Sequence, residues 1–228
     1  VTGPAGASRW ALDRRRLYLC TPDRPDLETF LDACMAGGVD VVQLRDKHLG
    51  DRQLAVRAAV ARKVCAHHGV PFVLNDRPDL AAALGADGVH VGQDDAPASE
   101  ARAAVGDEAL VGLSTHAPAE LAAAIDGPAP VDYVSAGPVV ATPTKPGRPG
   151  TGIGYVTHAV SASPWPVWVT GGVDPTTVGA IIDAGARHFV VVRWLTDADD
   201  PGRHARLLRD AIDRGLARAD GAAKGSIP

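Results

Sequence analysis

No apolar run along this 228-residue chain approaches the ~20 residues that a helix needs to cross a bilayer. The first residues, Val1–Ser8, lack the basic-then-apolar order of a secretory signal. Cysteine is scarce: Cys20, Cys34 and Cys65 are odd in number, far apart and each embedded in an apolar run. That pattern points to buried thiols in a reducing compartment rather than to disulfides or a metal, and the cytoplasm is the expected location. An excess of positive charge is missing as well. With 23 Lys and Arg against 27 Asp and Glu the formal net charge is −4, so no general basic field is available to a nucleic acid. Any cation with a function acts locally. No Gly-x-Gly-x-x-Gly turn follows the first strand-like run, no ligand spacing suits zinc, and no nucleophile–base pair stands out. Nucleic acids and membranes are therefore not expected partners. Small molecules are.

What the chain does contain is a steady alternation. Short β-branched runs predict strands at Arg16–Cys20, Val39–Leu44, Phe72–Asn75, Gly88–Val91, Leu110–Leu113, Tyr133–Ala136, Val167–Thr170 and His188–Val192. Amphipathic stretches separate them, at Leu27–Ala36, Arg52–His67, Ala117–Ile125, Pro175–Ala184 and Pro201–Ala217. Many of these end in glycine directly before a strand, as in Gly37-Gly38-Val39 and Gly185-Ala186-Arg187, where glycine supplies the positive φ of a helix end. Strands separated by helices pair in parallel with right-handed crossovers. About eight such units in this length predict an α/β fold of the (β/α)8 TIM-barrel type, with an open doubly wound sheet as the alternative. The barrel is expected as a single domain over residues 11–218, with an arm at 1–10 and a frayed tail at 219–228. Outer helices of a barrel read alike whether they face solvent or a second copy, so a homo-oligomer stays open.

In a barrel the reactive groups sit at the C-terminal ends of the strands, and the unusual polar residues of this chain lie there. Gln43, Arg45 and Lys47 close the second strand on one face of the pleat, two cations and an amide that call for an anion, a phosphate or a diphosphate. Asn75-Asp76 follows the third strand and His90-Val91-Gly92-Gln93-Asp94-Asp95 the fourth. Asp76 could instead serve the following helix start, and one of Asp94 and Asp95 could cap the helix near Pro97–Ala104. Two carboxylates from neighbouring strands beside a cationic anion site suit Mg2+, which takes one or two carboxylates plus waters and phosphate oxygens. After the sixth strand a long Gly-, Pro- and Thr-rich segment carries Thr142, Thr144 and Lys145, the chemistry of a loop that closes on a phosphate. Thr170-Gly171-Gly172-Val173-Asp174-Pro175 ends the seventh strand, its glycines open to a ligand, with Asp174 as the expected N-cap and Pro175 at the first helical position. Val192-Arg193-Trp194 ends the eighth, and loops after strands 7 and 8 commonly hold a phosphate. Ser114 and His116 follow the fifth strand, His116 as a polar wall of the pocket or an acid/base group. Trp165 and Trp168 read as packing residues.

Taken in order, Gln43-Leu44-Arg45-Asp46-Lys47, Asn75-Asp76, His90 to Asp95, Gly112-Leu113-Ser114-Thr115-His116, Gly137-Pro138 with Thr142-Pro143-Thr144-Lys145, and Thr170-Gly171-Gly172 resemble the thiamine-phosphate synthase family, from about Leu17 to Leu208. The resemblance implies an Mg2+-dependent transferase. It would join 4-amino-5-hydroxymethyl-2-methylpyrimidine diphosphate to 4-methyl-5-(2-hydroxyethyl)thiazole phosphate and release diphosphate, by a displacement with carbocation character. It implies Arg45, Lys47, Asn75 and Lys145 as diphosphate ligands and Asp76 and Asp95 as metal ligands. Gln43 and Ser114 would contact the pyrimidine and diphosphate, and Thr142 and Thr144 would belong to the mobile loop. Gly172 and the backbone at Val192 would hold the thiazole phosphate. Arg45, Lys47, Lys145 and Ser114 are thus the implied catalytic groups. Two departures stand out: Asp46 where Glu is common, and Val192-Arg193-Trp194 where many members read Val-Ser-Ala, with Arg193 a candidate added phosphate contact. A thiazole tautomerase-like barrel and a non-catalytic phosphate-ligand sensor are the competing readings.

Overall fold

The alternation of β-branched and Ala-rich segments closes into one ring. A computed structural model describes residues 10–127, 131–141 and 149–225. Eight parallel strands run β1 (Leu17–Thr21), β2 (Val41–Leu44), β3 (Phe72–Asn75), β4 (Gly88–Val91), β5 (Leu110–Thr115), β6 (Tyr133–Ala136), β7 (Val167–Thr170) and β8 (His188–Val191). Each pairs with the next in sequence, and β8 returns to β1, so the expected TIM barrel is the observed one. The helices are α1 (Leu27–Ala36), α2 (Asp51–His68), α3 (Pro78–Ala81), α4 (Ala98–Val105), α5 (Pro118–Asp126), α6 (Gly152–Ala162), α7 (Val178–Asp183), α8 (Arg193–Thr196) and α9 (Pro201–Gly225). Among the described residues no helix is long and apolar enough to cross a membrane.

Period-two alternation divides the strand side chains into two apolar layers. Leu17, Leu19, Val42, Leu44, Phe72 and Leu74 face outward and pack under the helices. Tyr18, Val41, Val73, Leu110, Tyr133 and Trp168 face inward and fill the barrel. A short 3-10 helix, Leu12–Arg14, lies across the bottom, where Leu12 is buried and Trp10 packs on the inner layer. Trp10, expected within the N-terminal arm, is thus part of the barrel base; the remainder of the arm, 1–9, lies outside the described residues. At the other end α9 continues through Gly225, into the stretch expected as a frayed tail.

A recurring aspartate sets the register at the bottom. Asp40, Asp87 and Asp132 precede the even strands β2, β4 and β6. Each carboxylate accepts N–H groups at the start of the strand before it: Arg16 and Leu17 at 2.9 Å, Phe72 at 2.9 Å and Val111 at 2.7 Å. The fully buried Asp132 is also paired with Arg102 at 2.6 Å. Before β8 the pattern changes: His188 takes over, its Nδ1–H donating to the Arg15 carbonyl at 2.6 Å. Burial pushes its pKa down to about 4, so the ring is neutral.

Candidate active site

All the strands end in one cavity of about 570 Å³ at the top of the barrel. Its wall includes Gln43, Arg45, Lys47, Asn75, Asp76, Asp95, Ser114, Gly172, Val192 and Arg193, so residues far apart in sequence meet as expected. Thr142, Thr144 and Lys145 lie outside the described residues.

On the β2–β4 side the charges are arranged around one point. The Lys47 ammonium lies 2.8 Å from Asp76 Oδ2 and 3.8 Å from Asp95 Oδ1. The two carboxyl groups are near enough to hydrogen-bond each other. Burial pushes the Asp76 pKa up, and the Asp95 carboxyl adds to that against the pull of Lys47. Burial also works against charge on Asp95. There it is outweighed by hydrogen bonds from Asp76 and from Gly92 N–H, and by the fields of Lys47 and Arg45, which hold its pKa down. Two crowded carboxyl groups of this kind repel one another when both are charged, and a cation between them relieves the repulsion. Asp76 also holds a left-handed backbone, φ 56°, uncommon for a residue with a side chain and typical of positions kept for function. None of these carboxylates occupies an N-cap position: Arg77 precedes α3 and Pro97 precedes α4. Asp46 points away from the cavity and accepts Asp23 N–H and His48 N–H, bracing the loop after β1. Replacement of Glu there leaves the cavity wall unaltered.

The floor of the cavity carries groups that the sequence motifs contained but did not explain. His90 Nε2 is 2.9 Å from Ser114 Oγ, and its Nδ1 is 3.2 Å from the Tyr133 hydroxyl. The rings of His90 and Tyr133 are stacked, and Tyr133 meets the Tyr18 hydroxyl at 3.0 Å from across the barrel. Gly112 makes this stack possible: a Cβ there would overlap Tyr133 Cζ and Oη and lie 2.5 Å from His90 Nδ1. The only hint in the sequence was the inward parity of His90, Gly112, Ser114 and Tyr133 on their strands. Beside them Gln43 is 5% exposed and its Nε2 has no hydrogen-bond partner among the described residues. A buried amide N–H2 left in this way is a donor free to meet an acceptor in the cavity.

On the opposite wall, Gly171 and Gly172 have φ of 95° and 77°, and a Cβ at either would lie 2.5 Å from Pro138 or from Val140 Cγ2. Only glycine fits, which leaves bare backbone facing the cavity. Asp174 caps a turn ahead of the helix rather than the helix itself, whose N-cap position is held by Thr177. Its Oδ1 accepts Thr176 N–H and Thr177 N–H, and regular α7 begins at Val178 rather than Pro175 because a turn intervenes. His116 lines the cavity with its ring held by Glu120 at 2.9 Å, which suits the role of a wall. Trp168 is fully buried in the inner layer, and Trp165 packs on the outer one.

Comparison with known proteins now adds to the geometry. A family model described as thiamine monophosphate synthase matches residues 17–195. The thiamine-phosphate synthase of Thermobifida fusca is 48% identical over 205 residues, 88% of this chain and 94% of the relative. That of Thermus thermophilus is 48% identical over 213 residues, 86% and 97% of the two chains. A solved structure described as thiamine phosphate pyrophosphorylase from Pyrococcus furiosus aligns with a TM-score of 0.79 at 25% identity, covering 88% of this chain and 96% of that one.

Proposed function

The chain belongs to the thiamine monophosphate synthase family, and from that premise we propose that it catalyses the family's transfer. 4-Amino-5-hydroxymethyl-2-methylpyrimidine diphosphate and 4-methyl-5-(2-hydroxyethyl)thiazole phosphate combine to thiamine phosphate with release of diphosphate. One observation carries the reading. A single cavity joins a wall of cations and paired carboxyl groups to a wall of bare glycine backbone, with an unpartnered buried amide between them.

The bond between the pyrimidine methylene and the diphosphate oxygen breaks, and its electron pair leaves with diphosphate. The thiazole nitrogen lone pair then forms the new C–N bond, with no proton abstracted and no protein nucleophile needed. Arg45 and Lys47, with Asn75 donating, neutralise the charge that develops on the leaving oxygens. Lys145, with Thr142 and Thr144, joins them by the family motif. The residues present fit Mg2+, and Asp76 and Asp95 would hold it: two carboxylates leave room for water and diphosphate oxygens. Bound there, the ion supplies Lewis-acid stabilisation of the departing diphosphate. Gln43 Nε2 donates to a pyrimidine ring nitrogen, while His90 and Tyr133 fix the Ser114 hydroxyl beside the diphosphate. The thiazole phosphate rests on Gly172 and on the backbone at Val192. The buried free thiols Cys20, Cys34 and Cys65 suit a reducing cytoplasm.

The test is a diphosphate-release assay with each substrate omitted in turn. Release should require both substrates. Binding without release would favour a sensor, and isomerisation of the thiazole phosphate alone would favour a tautomerase; either replaces the synthase reading.

A further inference from the structure

We propose that Lys47 stands in for a divalent cation at the Asp76–Asp95 pair, and that the cation enters together with a diphosphate, which draws the Lys47 ammonium off the two carboxyl groups. The proposal deepens the synthase reading and rests on its placement of the metal at Asp76 and Asp95.

The ammonium and a metal ion compete for the same oxygens. Lys47 Nζ lies 2.8 Å from Asp76 Oδ2 and 3.8 Å from Asp95 Oδ1. Both carboxyl groups are fixed where they stand. Asp76 follows β3 with its N–H donating to the His90 carbonyl at 2.8 Å. Asp95 Oδ2 accepts Gly92 N–H at 2.9 Å, which leaves Oδ1 for Lys47, and a Cβ at residue 92 would crowd Oδ2 at 2.8 Å. Among the described residues no group of three acidic, His or Cys side chains could hold a metal ion. The protein therefore offers this pair of carboxyl groups, and Mg2+ with so few protein ligands draws the rest from water and phosphate oxygens. A positive charge 2.8 Å from one of the two ligands repels an arriving cation and takes its place.

Lys47 is placed so that it can leave. It lies on the irregular segment between β2 and α2, its side chain is half-exposed, and a flexible four-carbon stem carries the charge. The same ammonium is one that the leaving diphosphate needs, and a single point charge cannot fill the carboxyl pair and neutralise the diphosphate at once. Diphosphate carries the more concentrated negative charge, so Lys47 turns to its oxygens when it binds. Asp76 and Asp95 then lose their counter-charge and take a divalent ion in its stead. Metal and diphosphate thus tighten one another by the same factor, as linkage requires. Without diphosphate Lys47 keeps the pair neutralised and the metal out.

The experiment is Mn2+ binding followed by electron paramagnetic resonance, which reads the free ion and needs no turnover. Wild type, Lys47→Met, Arg45→Met and Asp95→Asn are titrated with Mn2+ alone, and again with inorganic diphosphate after correction for the Mn2+–diphosphate complex in solution. Without diphosphate, Lys47→Met should bind Mn2+ about tenfold tighter than wild type, the scale of one half-exposed ammonium against a divalent ion at ion-pair distance. Arg45 exerts a weaker field on Asp95 than Lys47 does, so the gain in Arg45→Met should stay below about threefold. With diphosphate the advantage of Lys47→Met should vanish or reverse, because the anion removes Lys47 from the pair in wild type. Equal Mn2+ affinity in wild type and Lys47→Met, an equal gain in Arg45→Met, or an advantage untouched by diphosphate overturns the proposal. Mn2+ binding that is lost in Asp95→Asn but indifferent to residue 47 would sink this role of Lys47 alone. Mn2+ binding untouched by Asp95→Asn would sink the metal placement beneath it. The full pattern in a protein that never releases diphosphate from the two substrates would sink the synthase reading alone.

Discussion

Gly112→Ala should damage both stability and the pyrimidine side of the cavity, although it adds a single methyl group. The added carbon would occupy the space of Tyr133 Cζ and Oη and approach His90 Nδ1 to 2.5 Å. Neither neighbour can withdraw cheaply. Tyr133 is 1% exposed and wedged edge-on against Tyr18 and Trp168, and His90 is 8% exposed. Overpacking of a rigid core costs about 1–3 kcal/mol, and the rigidity here favours the upper part of that range. Displacing Tyr133 also breaks its hydrogen bonds to Tyr18 and to His90, each about 1 kcal/mol. The total, roughly 3–5 kcal/mol, corresponds to a fall in Tm of about 10 °C for a protein of this size. Circular dichroism melting measures that term. Steady-state kinetics should show KM for the pyrimidine diphosphate raised and KM for the thiazole phosphate little changed, because the Gly171–Gly172 wall does not touch residue 112. A variant with wild-type Tm and unchanged KM for both substrates would refute the packing argument.

Two further variants probe the bottom of the barrel. Asp132→Ala removes the partner of Arg102 and the acceptor of Val111 N–H at a fully buried position, so it should cost about 3–5 kcal/mol in chemical denaturation while sparing the KM values of molecules that fold. His188 is held neutral in the folded protein, with a pKa lowered from 6.5 to about 4. The unfolded chain takes up this proton first on acidification. The stabilising contribution is therefore whole above pH 6.5, falls between pH 6.5 and about 4, and declines no further below that. Its size is about 3 kcal/mol across the window. His188→Gln keeps a donor for the Arg15 carbonyl and should lose that part of the pH dependence. Equal pH profiles for the two proteins would contradict the assignment.

The sequence conveyed the barrel well because its signals are local. β3, β4, β6 and β7 run over the residues expected from hydrophobic alternation alone. Boundaries shifted where polar groups sit inside strands. β5 runs on to Thr115, which the expected strand omitted, because Ser114 faces the cavity and the Thr115 hydroxyl bonds the Ser135 carbonyl at 3.1 Å. In the same way α9 outran its expected end. The charged half of the site was legible because Arg45, Lys47, Asp76 and Asp95 are costly to place at strand ends without a reason. The Tyr18–Tyr133–His90–Ser114 chain was not. Its members join β1, β6, β4 and β5 across the barrel interior, and no spacing along the chain encodes contact between strands that are not adjacent. The bracing aspartates Asp40, Asp87 and Asp132 gave no signal either, because the N–H groups they accept belong to the preceding strand, 15 or more residues away along the chain.

The central claim is that the paired carboxyl groups and the cations at the mouth of β2, β3 and β4 hold a metal-bound diphosphate as it departs. The direct measurement is kcat of Asp95→Asn against wild type across a Mg2+ titration, with both substrates saturating and folding verified by an unchanged melting curve. Turnover should fall at least ~10²-fold, the scale of losing one principal electrostatic group, with saturation displaced to higher Mg2+. Near-wild-type turnover in Asp95→Asn, or full activity after chelation of divalent ions, would contradict it.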